Sequence, residues 1–198
     1  MPSAVLPRQR VIVALSGASG ALYGVRTLQA LALLPEIERH LIVSPSALRT
    51  LAAETEVSPA ALRALADVVH DHRDIGASIA SGSVRTLGMI VAPCSIKTLS
   101  GIVTCYADNL TVRAADVCLK ERRRLILLVR ETPLHLGHLD LMTRATQAGA
   151  IIMPPVPALY HRPQSIEEMV DHTVGRALDL LGLETPLLRR WSGQRPEA

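Results

Sequence analysis

Two short segments of the chain carry phosphate-binding residue types at turn spacing. The first is Ser16-Gly17-Ala18-Ser19-Gly20, which follows the apolar run 11–15 and precedes a helical pattern. A strand that turns through glycine into a helix leaves free N–H groups at the helix start, and the helix dipole favours an anion there. Gly17 and Gly20 permit close approach, and Ser19 adds a hydroxyl donor. The plain alternative is a tight packing turn. The second segment is Pro93-Cys94-Ser95-Ile96-Lys97-Thr98, after the apolar run 88–92. Ser95 suits a helix N-cap, Thr98 lies one turn on, and Lys97 adds positive charge; without a ligand this is simply a capped helix.

The neighbouring residues restrict the phosphate compound. A dinucleotide site wants Asp or Glu at the end of the second strand to hold a ribose hydroxyl. Here that strand ends in Ser44-Pro45-Ser46. A P-loop needs Gly-Lys-Ser/Thr, whereas Gly20 is followed by Ala21 and Leu22. A mononucleotide, with flavin mononucleotide (FMN) the natural candidate, fits better than either.

Further charged groups sit at strand ends and on helices. Arg130 closes the apolar run 125–129, where a guanidinium is costly unless it is paired or ligand-bound. Glu131 follows directly, so the pair reads either as a structural ion pair or as a phosphate clamp with an acid beside it. Arg113 and Lys120 share one helical face and flank Asp116. Arg122 to Arg124 read as a solvated helix end. Tyr160 stands in the proline-rich loop 154–163, where its hydroxyl could meet phosphate, and Arg176 lies on the last helix. Glu54 ends a helix and reads as an exposed glutamate. The seven histidines form no HxH or HExxH pattern, so no metal site is expected.

Apolar strands alternating with helices must position these groups. Strands are expected at 11–15, 40–44, 88–93, 125–131 and 150–155. Helices are expected at 20–34, 45–54, 58–69, 95–104, 109–123, 138–149 and 165–183, with a loop over 70–83. Continuous apolar strands separated by helices imply an α/β, doubly wound parallel sheet covered on both faces. Ligands in such sheets bind beyond the carboxyl ends of the strands, where the segments above fall. With 198 residues and no repeat, one domain is expected over 10–191, flanked by an extension (1–9) and a tail (192–198).

Composition narrows the class. The chain is 48% hydrophobic with three Tyr, one Trp and no Phe, so the core must be aliphatic. No apolar run is long enough for a membrane span, and the apolar surplus is expected to cover subunit interfaces. The net charge of +3 suits small anions, while the scarcity of aromatics argues against nucleic acid. Three cysteines without ligand spacing fit buried thiols in a reducing cytoplasm.

Six ordered motifs together, "SGASGALYG", "PCSIKTLSGI", "DNLTVRAADVCLKERR", "VRETPLHLGHLDLM", "GAIIMPPVPALYHRPQS" and "RW" at 190–191, resemble the flavin prenyltransferases, the UbiX and Pad1 proteins. The similarity is closest to the bacterial members associated with phenolic-acid decarboxylation. It runs from Arg10 to Trp191 and implies a flavodoxin-like fold in a homododecamer with sites between subunits. It implies that dimethylallyl monophosphate alkylates reduced FMN at N5 and C6, giving prenylated FMN for a UbiD-type decarboxylase, without metal. By motif, Gly17, Ala18, Ser19, Ser44, Ser95, Ile96, Lys97, Thr98 and Arg130 would bind FMN. Arg113, Lys120, Tyr160, Arg176 and Trp191 would meet the dimethylallyl phosphate. Ser19, Glu54, Ser95, Lys120 and Glu131 would take part in catalysis. The loop departs from the family's usual Pro-x-Phe-Tyr in having Leu159 before Tyr160. Two other readings remain: a flavin-dependent cysteine decarboxylase, which would want an early catalytic histidine where the first here is His40, and a non-catalytic FMN-carrying decarboxylase subunit.

Overall fold

A computed structural model describes residues 8–191 and 193; most of the expected extension and nearly all of the tail lie outside the described residues. Six strands alternate with helices: β1 (Gln9–Leu15), β2 (Ile37–Val43), β3 (Val68–His70), β4 (Gly88–Cys94), β5 (Arg124–Val129) and β6 (Ile151–Ile152). The helices are α1 (Ala21–Ala32), α2 (Pro45–Glu54), α3 (Pro59–Ala64), α4 (Ile96–Val103), α5 (Leu110–Lys120), α6 (Leu136–Gln147) and α7 (Ile166–Leu181). All neighbouring strands are parallel, in the order β3-β2-β1-β4-β5-β6. The winding direction reverses between β1 and β4, and a crevice opens beyond their carboxyl ends. This is the doubly wound, flavodoxin-like arrangement expected.

The central strands β1, β4 and β5 are apolar over most of their length because both of their faces are buried there. Val11, Val13 and Leu15 join Ile90 and Ala92 under α1 and α7. Their neighbours Ile12 and Ala14 join Met89 and Val91 under α4 and α5. Both cores are built almost wholly of Leu, Ile, Val and Ala. Close packing of α1 depends on Gly24. A Cβ there would lie 2.5 Å from both the Ala92 carbonyl oxygen and Leu15 Cγ. Backbone and a buried core side chain cannot both yield, so Gly24→Ala is expected to cost about 2–3 kcal/mol. A lowered melting temperature checks it, and an unchanged one refutes this account of the α1 contact.

The strand expected over 150–155 spans only Ile151–Ile152, and the helix expected over 109–123 ends at Lys120; the largest difference lies at 58–70. The helix expected over 58–69 ends at Ala64, and 68–70 form β3 beside β2. Asp67 marks the break. Its carboxylate accepts the Arg39 backbone N–H at 2.8 Å and the Arg39 Nε–H at 2.8 Å. Those bonds pin the chain to β2, and the β-branched pair Val68-Val69 then completes the sheet edge. Arginine side chains hold the Asp67 carboxyl well below the usual carboxylate range.

Two smaller expectations also change. Arg123 and Arg124 are not a solvated helix end: Arg123 donates to the carbonyls of Gly82 and Val84, and Arg124 to that of Leu180. Of the cysteines, Cys94 and Cys118 are buried, and burial pushes their thiols up to about 12 and about 11, but Cys105 is exposed. Among the described residues, no helix is long and apolar enough to cross a membrane.

Candidate active site

The crevice at the β1–β4 reversal is stitched by Ser16. Its buried hydroxyl donates to the Pro93 carbonyl at 2.7 Å and accepts the Ser95 N–H at 2.8 Å. This fixes the glycine turn against the second phosphate-type segment. Ser44 N-caps α2, accepting the Ala47 N–H at 3.1 Å, and Pro45 occupies the first helical turn. Ser95 N-caps α4, accepting the Thr98 N–H at 3.3 Å, and its oxygen lies 3.1 Å from Thr98 Oγ1. The β1–α1 turn presses so closely on α2 that a Cβ on Gly17 would stand 2.4 Å from Ser46 Cβ.

A cleft of ≈ 750 Å³ opens at this junction, with Gly17, Ser44, Ser46, Ser95, Lys97 and Thr98 on its wall. Two helix starts, several hydroxyls and one lysine thus face one space, which suits a phosphate on a polar tail. His72 and Asp108 also border it, and neither was singled out in the sequence. Ile96 lies beside this wall but packs against the α4–α5 core.

A second cleft, of ≈ 450 Å³, lies on the β5 side. Ser19, Gly20, Tyr23, Arg130 and Glu131 line it, and the proline-rich stretch 154–157 closes one flank. The first N–H groups of α1 are not free for an external phosphate, as the glycine turn had suggested. Glu54, from the end of α2, accepts the Gly20 N–H at 2.8 Å and the Ala21 N–H at 2.9 Å through Oε2. Burial acts to raise the Glu54 pKa. Hydrogen bonds from the Ser19 hydroxyl and from the Ala21 and Gly20 amides, with the charge of Arg130, outweigh burial and lower it. Glu54 is therefore a carboxylate built into the site through the Gly20 and Ala21 amides, rather than a bystander.

Arg130 and Glu131 do not form the structural ion pair considered above. Glu131 accepts its neighbour Thr132's N–H at 3.1 Å. The Arg130 side chain is exposed and has no hydrogen-bond partner among the described residues; its backbone N–H bonds to the Cys94 carbonyl at 3.0 Å. A cation is thus held at the carboxyl end of a central strand, open to the cleft.

The residues matched to dimethylallyl phosphate are not gathered within one chain. Arg113 bonds to Asp116 and to the Ala80 carbonyl. Lys120, at the end of α5, pairs with Glu121 near Gly82, at the amino end of the sheet. Arg176 pairs with Asp179, which also binds Arg190. The Tyr160 hydroxyl donates to the Arg189 carbonyl at 2.7 Å and lies 2.9 Å from His172 Nε2, with Trp191 edge-on at 5.6 Å. His40 is buried in the middle of β2, 2.7 Å from Glu38 and 2.9 Å from His70, and lines neither cleft. Among the described residues no cluster of three or more His, Cys, Asp or Glu could hold a metal.

Comparison with known proteins adds to this geometry. Residues 2–178 match the Flavoprotein family. The chain is 60% identical over 187 residues to the flavin prenyltransferase UbiX of Escherichia coli K12, covering 93% of this chain and 99% of that protein. It superposes on AnUbiX (PadA1), crystallised with FMN and dimethylallyl pyrophosphate, with a TM-score of 0.92 at 50% identity, covering 95% and 100% of the two chains. It superposes on the dodecameric FMN-dependent UbiX-like decarboxylase of Escherichia coli O157:H7 with a TM-score of 0.91 at 49% identity, covering 93% and 100%. With its motifs spread through the whole doubly wound domain and this degree of identity over almost its full length, the chain belongs to the UbiX family of flavin prenyltransferases.

Proposed function

We propose that the protein transfers the dimethylallyl group of dimethylallyl monophosphate to reduced FMN, and that the prenylated FMN leaves to serve a UbiD-type decarboxylase of aromatic or phenolic acids. The observation that carries this reading is the Arg130 guanidinium, without a hydrogen-bond partner among the described residues, lining with Glu131 and Ser19 a cleft beyond the carboxyl end of β5, close to Glu54. The residues fit FMN. The larger cleft offers hydroxyls and Lys97 to a phosphate, and no acid follows β2 to favour a dinucleotide ribose. Gly17, Ser44, Ser95, Lys97 and Thr98 of the larger cleft, with Ile96 beside them, and Ser19 and Arg130 of the smaller one, with Ala18 in the turn between, would hold FMN. Reduced FMN supplies two nucleophilic positions, N5 and C6.

The chain's own residues do the rest. A monophosphate leaves poorly, so cations and a phenol at its oxygens lower the barrier. Arg113, Lys120, Tyr160 and Arg176 meet those oxygens, with Trp191 beside them. Because they lie away from the Arg130 cleft in one chain, they reach it from neighbouring subunits. Exposed Leu136, Val156, Leu159 and Trp191 supply apolar surface for such contacts in a dodecamer. Glu131 takes up the proton lost on ring closure, and Ser19 and Ser95 assist proton movement and phosphate release. We place the reaction in the cytoplasm, in a domain spanning residues 10–191.

Purified protein given reduced FMN and dimethylallyl monophosphate without oxygen is expected to yield a new flavin absorption spectrum and one phosphate per flavin converted. If neither spectrum nor phosphate appears, the proposed activity is wrong. A parallel reaction with dimethylallyl diphosphate identifies the preferred donor.

A further inference from the structure

The scarcity of aromatic residues gives each one weight. Tyr160 and Trp191 pack on each other, and Tyr106 borders the larger cleft. Tyr23 is the aromatic residue lining the smaller cleft. It stands in the first turn of α1, and its ring folds back toward the helix start, the usual direction for a long helical side chain. Its Cδ2 and Cε2 atoms lie 3.0 and 3.3 Å from where a Cβ on Gly20 would stand. Gly20 has φ +104°, so both its backbone and this ring require glycine there. The ring packs partly buried against the α1–α7 core.

The hydroxyl of Tyr23 has no hydrogen-bond partner among the described residues, and neither has the guanidinium of Arg130. Both residues line the same cleft. Burial raises the Tyr23 phenol's pKa and the charge of Arg130 opposes that, so the two groups are electrostatic neighbours. The carboxylate that could have served them, Glu54, is already engaged by Gly20, Ala21 and Ser19. Polar groups in a cleft that lack a protein partner find one in the ligand or in water. Two donors that line one cleft without a protein acceptor leave it open to a ligand that brings one.

We propose that Tyr23 is a further flavin-binding residue, whose hydroxyl joins the Arg130 guanidinium in holding an acceptor atom of bound FMN while its ring, seated on Gly20, walls the cleft. This rests on the FMN site proposed above. Tyr23→Phe removes the hydroxyl and keeps the ring. Titration of the apo-protein with oxidised FMN is expected to show a dissociation constant raised about five- to tenfold, the effect of one hydrogen bond. The circular dichroism of the bound flavin in the visible region should change, and the melting temperature of the apo-protein should not. FMN binding within twofold of wild type overturns the role of Tyr23 and leaves the FMN site standing. A fall in the apo-protein's melting temperature accompanying weaker binding assigns Tyr23 to packing and overturns it as well. Failure of the wild-type protein to bind FMN removes the site reading itself.

Discussion

Subunits carrying Lys120→Ala and subunits carrying Glu131→Gln, each almost inactive alone, are expected to regain about a quarter of wild-type activity when co-assembled in equal amounts, if subunits distribute at random. The reason is where one chain places these residues. Lys120 sits at the end of α5, near Gly82 and the amino end of the sheet. Glu131 follows β5 at the opposite, carboxyl end. A site that uses both must take them from different subunits. Half of the sites in a random mixture have an intact lysine, and half have an intact glutamate. Alone, Lys120→Ala should bind FMN as wild type does and lose about 10²–10³ in turnover, because a cation aimed at the leaving phosphate acts on the transition state. Glu131→Gln should lose about 10² through the missing proton acceptor. Unmixed controls and a mixture denatured and reassembled together make the comparison. Absence of recovery in an oligomer shown to contain both variants would place the two residues in one subunit's site, or remove Lys120 from the reaction.

The fold was largely legible because buried parallel strands are written as continuous apolar runs, and helix starts as Ser-Pro or Ser-x-x-Thr caps. Ser95 caps α4 as its sequence suggests, and Ser44, Ser58 and Ser165 cap α2, α3 and α7 in the same way. What failed was non-local. The pairing of β3 depends on Asp67 reaching Arg39, and no window around 58–70 contains that information. The same limit applied to the site. Glu54 looked like any helix-end glutamate, since its partners lie more than thirty residues away in sequence. Tyr23 was visible as the third residue after Gly20, but nothing local distinguished it from a packing residue. Lys120 and Arg176 point to chemistry by motif, yet their distance from Arg130 in one chain shows only in three dimensions.

Glu54→Gln carries the second large expectation. The carboxylate occupies the start of α1 beside Ser19, so it can perform two tasks at once. As a helix-terminal anion it stabilises the fold by about 1 kcal/mol. As a carboxylate next to Ser19 it is placed to act on that hydroxyl, which lines the cleft with Arg130. Glutamine can still offer one oxygen to the amides but brings no charge, so prenyl transfer is expected to fall about 10- to 100-fold with FMN binding largely retained. The pH dependence separates charge from shape. The folded carboxyl has a lowered pKa, so its contribution is complete above the unfolded value and is lost as pH falls through the folded value. Wild type should therefore lose its stability advantage over Glu54→Gln on the acid side, below the ordinary glutamate range, and keep it at neutral pH. Melting temperatures of both proteins from pH 7 down to about pH 2, with single-turnover rates at pH 7, test this, and turnover of the glutamine variant at the wild-type rate at pH 7 would sink the catalytic part. If the melting curves differ by the same amount at every pH, the amide shape rather than the carboxylate charge holds α1 in place.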